Sequence, residues 1–188
     1  MSNNILGISY AILAGSALIS YSRIHLGSYA RFAYMGLISN GILGLFKWGG
    51  IEFDGFDKAY RIIEGIQDLF LLPCIASSLW VAYHYMKEIG LFNILVSFSP
   101  LMTLLLENKP VSEEYKNAII VVNLTTLAVL SLVHNNFNGL AVTALYLYIH
   151  TDMVRNNRGL FGYNFQESYN CALALFAIAS CEMIMSAY

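Results

Sequence analysis

The chain has 188 residues, of which 57% are apolar and only 12% charged, with a formal net charge of −2; an ordinary soluble domain carries about 25% charged residues. So little charge argues against a water-facing surface of the usual kind, and without a Lys/Arg-rich block the electrostatic footprint of nucleic-acid binding is absent. Cys74, Cys171 and Cys181 are odd in number and lie inside apolar runs, which argues against a disulfide framework and reads as buried, inert thiols.

A hydrocarbon core about 30 Å thick takes about 20 apolar residues per helical crossing. Backbone in lipid must satisfy its own hydrogen bonds, so each apolar stretch is read as a helix. The pattern predicts an all-α, polytopic membrane bundle of about seven transmembrane helices, one transmembrane domain over residues 1–188 with short loops. In chain order the spans fall near 5–20, 32–46, 62–85, 89–106, 117–134, 140–154 and 168–188. The first resembles the core of a signal peptide, which would reduce the count to six, but Met1, Ser2, Asn3 and Asn4 lack the positive charge that such a leader carries. Pro73 and Pro100 interrupt spans three and four, where freed carbonyls can kink a helix or line a cavity. Asn135 to Gly139 forms a short polar turn, so spans five and six pack antiparallel.

With seven spans, Lys47, Lys58, Arg61, Lys109, Lys116, Arg155 and Arg158 share the N-terminal face, against Arg23, Arg31 and Lys87 opposite. Positive loops stay cytoplasmic, so the N-terminus is expected inside, the reverse of a G-protein-coupled receptor. Tyr21, Tyr29, Trp48, Tyr60, Tyr83, Tyr85, Tyr115 and Tyr163 fall near the span ends as interfacial anchors. Residues 47–61 balance Glu52, Asp54 and Asp57 against three cations and read as a solvated connector. Small residues recur every four positions at Gly7, Ala11 and Gly15 and, with Asn40 between, at Gly36 and Gly44. Such grooves serve close helix packing within the chain or against other membrane proteins.

Ionisable groups inside spans cost about 2.5–3.5 kcal/mol at a helix centre, so each is a functional candidate. By depth they sort into an inner layer, Glu64, Asp68, His150 and Asp152, and an outer one, His84, His134 and Glu182. In the inner layer Asp68 can meet His150 or Asp152, and a carboxylate beside an imidazole is the minimum for acid/base work or proton relay. Asp68, His150 and Asp152 are therefore the candidate catalytic residues. The outer trio has zinc-ligand types but no local ligand motif, so neither a metal nor another cofactor is expected. Ser131 and His134 form a one-turn pair without an oxyanion-hole signal. Asn40, Asn93, Ser97, Ser99, Asn123, Thr125 and Thr126 are read as interhelical hydrogen-bonding groups, and the Asn123-Leu124-Thr125 glycosylation triplet as inaccessible at mid-span.

Residues 144–153 and the span after them are similar to the end of lysoplasmalogenase-like membrane hydrolases, in that an acidic residue, Asp152, closes the penultimate helix. The likeness covers the last quarter of the chain. It lacks one span and the family's early Lys-Pro element, so no membership is assigned. What it implies is an intramembrane lipid-modifying hydrolase as an alternative. The first expectation, since no catalytic motif stands out, is a structural or accessory multi-pass protein whose partner is the lipid bilayer, together with other membrane proteins through the small-residue faces. A small-solute or proton transporter is the second alternative, although no inverted repeat supports it.

Overall fold

The computed structural model describes residues 2–49, 55–107, 111–154, 159 and 164–188. Among them the regular structure is helical: α1 Ser2–Arg23, α2 Ala30–Trp48, α3 Phe56–Ala82, α4 Lys87–Glu107, α5 Glu113–Val133, α6 Phe137–Tyr148 and α7 Phe165–Met185. A π-helical turn, Ile149–Val154, continues α6. Each helix matches one expected apolar stretch: α1, α2 and α4 overrun it at both ends, while α3, α5 and α7 start earlier than expected and stop before its end, and polar residues cap several of the starts. The Ser112 hydroxyl accepts the Tyr115 N–H at 3.3 Å, starting α5 early, with Glu113 and Glu114 in a first turn where the helix dipole favours acids. Asn136 caps α6 in the same way through the Gly139 N–H, and the Glu167 carboxylate accepts the Asn164 N–H at the start of α7.

Chain neighbours pack antiparallel, as a few pairings demonstrate. Tyr10 of α1 lies against Gly44 of α2, and the Asn40 amide of α2 donates to Gln67 of α3 at 2.6 Å. Asn93 of α4 donates both to Ser77 of α3 and to Asn123 of α5. The last helix closes back on the first in parallel, with Asn170 donating to Ser9 and Ser20 donating to the Ala177 carbonyl. α3 sits centrally, touching α2, α4, α5 and α7. The shared core is apolar, with Leu13, Tyr34, Leu37, Ile75, Leu79, Leu127 and Phe176 fully buried.

Close approach of α1 and α2 depends on two glycines. A Cβ on Gly41 would fall 2.7 Å from the Ala14 Cβ and 2.9 Å from its backbone nitrogen, and one on Gly44 would fall 2.1 Å from the Tyr10 ring. The groove predicted from Gly7, Ala11 and Gly15 is corrected here: Gly7, Gly15 and Gly36 have nothing within 4 Å of such an atom. α1 meets α2 instead through Tyr10 and Ala14, one residue round the helix from the four-residue repeat.

Four helical segments, Asn4–Arg23, Lys58–Ala82, Glu113–Val133 and Phe165–Met185, are long and apolar enough to cross a membrane. The expectation of seven goes further than these four. α2 is diluted by Gly36, Gly41, Gly44 and Asn40, and α6 is α-helical for only 12 residues. Neither proline ends its helix, since α3 runs on through Pro73 and α4 through Pro100. Cys74 and Cys181 are buried free thiols, whereas Cys171 is exposed on α7, contrary to the reading of all three as buried. Glu52, Asp54, Lys109, Arg155, Arg158 and Tyr163, and the Asp57 side chain, lie outside the described residues.

Candidate functional site

Asp68 lies about 18 Å along α3 from Phe56, at about 1.5 Å per residue. There the helices part around a cavity of about 230 Å³. α3 contributes Glu64 and Asp68, one turn apart, and α5 contributes Glu113 and Lys116. Tyr146 and His150 enter from α6 and its π-helical turn, and Gln166 and Tyr169 from α7. Ile120, Ile149, Val154 and Phe165 form the apolar walls.

Lys116 is shared between two carboxylates, Nζ lying 3.1 Å from Glu113 and 3.8 Å from Asp68. The side chains of Lys116 and Asp68 keep 25% and 34% of their exposure, so water screens this pairing. The His150 imidazole hydrogen-bonds the Asn117 amide oxygen at 3.0 Å. Of the three expected catalytic residues, Asp68 and His150 therefore line one cavity, each engaged by a different partner on α5. Asp152 does not line it, because two residues on from His150 it lies about half a turn round the helix.

The far wall is held from behind. Gln67 donates to the Tyr169 hydroxyl and accepts from Asn40, and Gln166 donates to the Tyr10 hydroxyl, itself 2.6 Å from that of Tyr60. These contacts carry a polar layer across α1, α2, α3 and α7. Further along the bundle lie Leu72, Ile75, Leu127 and Phe176, all buried, with polar groups such as Ser77, Asn123 and Asn170 buried among them.

The outer residues stay apart. Glu182 pairs with Arg23, His134 stacks on Tyr83 at 3.8 Å between ring centroids and contacts the Tyr85 hydroxyl, and His84 occupies the α3–α4 turn with φ 60°. Among the described residues no group of three His, Cys, Asp or Glu side chains could hold a metal. The Ser131 hydroxyl is buried without a hydrogen bond, and His134 turns to the two tyrosines rather than to it. Asn93, Asn123 and Asn40 do bridge helices, and the Ser99 hydroxyl meets that of Tyr115 on α5 at 3.3 Å as well as donating to Val96 of its own helix, whereas Ser97 and Thr126 donate back to carbonyls of their own helix.

Sequence reasoning missed Tyr146, Tyr169, Gln166, Glu113 and the inward role of Lys116. One-turn spacing was the available signal: Glu64 with Asp68, Glu113 with Lys116, Tyr146 with His150, and Gln166 with Tyr169 each share a helix face. Tyr146 and Tyr169 are not among the tyrosines read as interfacial anchors, and nothing else in the linear order marks them as facing inward. Compared with family models, with curated proteins and with solved structures, the chain yields no match to any.

Proposed function

We propose that the chain is a non-catalytic, multi-pass membrane protein that crosses the bilayer seven times with its N-terminus in the cytoplasm and serves as a structural or accessory component. The observation that carries this reading is the distribution of exposed apolar side chains. Ile8 and Leu18 on α1, Phe32 and Met35 on α2, Phe92 and Leu95 on α4, Val121 and Leu132 on α5, Leu147 on α6, and Leu175 and Ile178 on α7 all face outward. α3 alone, the central helix, exposes no large apolar side chain among its described residues. Water penalises such a girdle and hydrocarbon does not.

Crossing by α2, α4 and α6 is supported by their antiparallel pairing and by length. α2 has 19 residues, α4 has 21, and α6 with its π-helical turn extends to Val154. The surplus of Lys and Arg on the N-terminal face supports the orientation. α1 belongs to the core through Tyr10, Leu13 and Ala17, which favours its retention in the bundle. The faces of Gly7, Ala11 and Gly15 and of Gly36 remain available to other membrane proteins.

The cavity favours binding over hydrolysis. The Asp68 carboxylate and the His150 imidazole are engaged by Lys116 and Asn117, and among the described residues no Ser, Thr or Cys lines the cavity. Incubation of the purified protein with lysophospholipid and lysoplasmalogen, followed by mass spectrometry, is expected to yield no product above the level of Asp68→Asn. Hydrolysis that disappears in Asp68→Asn would overturn the non-catalytic reading in favour of the hydrolase.

A further inference from the structure

We infer that the cavity between α3, α5, α6 and α7 is a binding site for a small organic ammonium group, quaternary or primary, such as the head of a choline or an ethanolamine. Three carboxylates, Glu64, Asp68 and Glu113, face a single ammonium, that of Lys116. Lys116 answers two of them, and Glu64 at the exposed rim has no ion partner among the described residues. Among the described residues the carboxylates at this cavity therefore outnumber the ammonium groups, Glu64 and Glu113 at its exposed rim and Asp68 part-buried beside Lys116, and a cation is attracted there.

Aromatic residues give that surplus its selectivity. Tyr146, Phe165 and Tyr169 line the same space, and Phe165 stacks on Tyr169 with centroids 5.6 Å apart. Rings around an alkylated ammonium supply cation–π attraction that a hydrated metal ion exploits poorly. Tyr146 is the independent pointer to a ligand. It is only 6% exposed, its ring is pinned edge-on against Phe176 at 5.0 Å, and its hydroxyl opens on the cavity without a hydrogen-bond partner among the described residues. A ligand bearing its own oxygen, as choline and the phospholipid heads do, can hydrogen-bond this hydroxyl where it meets the cavity. The volume, about 230 Å³, accepts such a head and no complete lipid.

The inference concerns this cavity alone and stands whether four or seven helices cross. Its test titrates choline chloride, against sodium chloride at equal ionic strength, into the full chain held in phosphatidylglycerol nanodiscs. Saturable binding at one site per chain is expected, with the neutral isostere 3,3-dimethyl-1-butanol about tenfold weaker or worse. Glu64→Gln, at the exposed rim, is expected to weaken choline about fivefold while leaving the thermal unfolding of the empty protein in place. No saturable binding, or an isostere that binds as tightly as choline, overturns the inference without recourse to any variant. The source of the ammonium follows from replacing the nanodisc lipid with phosphatidylcholine: loss of binding from solution assigns the site to a lipid headgroup, and an unchanged affinity assigns it to a free amine.

Discussion

The two flanks of α3 are built on opposite principles. On the side of α2 and α1, those two helices approach each other until only glycine fits, at Gly41 and Gly44, and α2 meets α3 through the neutral amides of Asn40 and Gln67, with Lys47 over the Tyr60 ring near one end. Toward α5 and α6 the facing residues are long and titratable, Glu113, Lys116 and His150, and about 230 Å³ is left unfilled. In a lipid solvent no hydrophobic force draws helices together, so close packing and interhelical hydrogen bonds must do so. Small residues supply that on the first flank. On the second, charges that retain access to water hold the helices apart. One flank is thus suited to holding the bundle together and the other to receiving a ligand.

Substitutions sharpen this contrast, and the largest effect belongs to the tight flank. Gly41→Val drives a side chain into the Ala14 backbone, which cannot rotate away, and is expected to cost about 2–3 kcal/mol in reversible SDS unfolding from mixed micelles. A cost near zero would mean that α1 and α2 do not pack as described. Asn40→Ala, which strands the buried Gln67 carbonyl oxygen, is expected to cost about 1 kcal/mol in the same assay, in line with hydrogen bonds between membrane helices. Asp68→Asn on the open flank should cost less than about 1 kcal/mol, because its 3.8 Å ion pair is part-exposed and screened. A larger loss there than at Asn40 would reverse the assignment of the two flanks. Smallest of all, Gly36→Ala, which meets nothing within 4 Å, should stay within about 0.5 kcal/mol of the parent.

Helices were legible in the sequence and their partners were not. Each apolar stretch became a helix because in both lipid and protein interiors the backbone must bond to itself. Boundaries shifted where Ser112, Asn136 and Glu167 supplied caps outside the apolar run. Packing faces were harder to read, since a four-residue repeat such as Gly7, Ala11 and Gly15 marks a stripe without saying which neighbour it meets. The depth ordering of Glu64, Asp68 and His150 placed them at one cavity, because depth follows from position along a helix. Their bonding did not follow, because Lys116 and Asn117 reach them from a helix that the linear order leaves unplaced. Asp152 fell away from the cavity for a local reason, its angle round the helix from His150.

Seven crossings are the central claim, and α4 is where it is most exposed. In a chain with Cys74, Cys171 and Cys181 replaced by alanine, single cysteines at Leu26, Met86, Asn135, Ser112 and Gly159, all exposed turn or loop positions, can be probed in sealed vesicles with a membrane-impermeant maleimide. Seven crossings require Leu26, Met86 and Asn135 to label from one side, and Ser112 and Gly159 only from the other. Labelling of Met86 and Ser112 from the same side would contradict the account, since α4 would then return to the face it left.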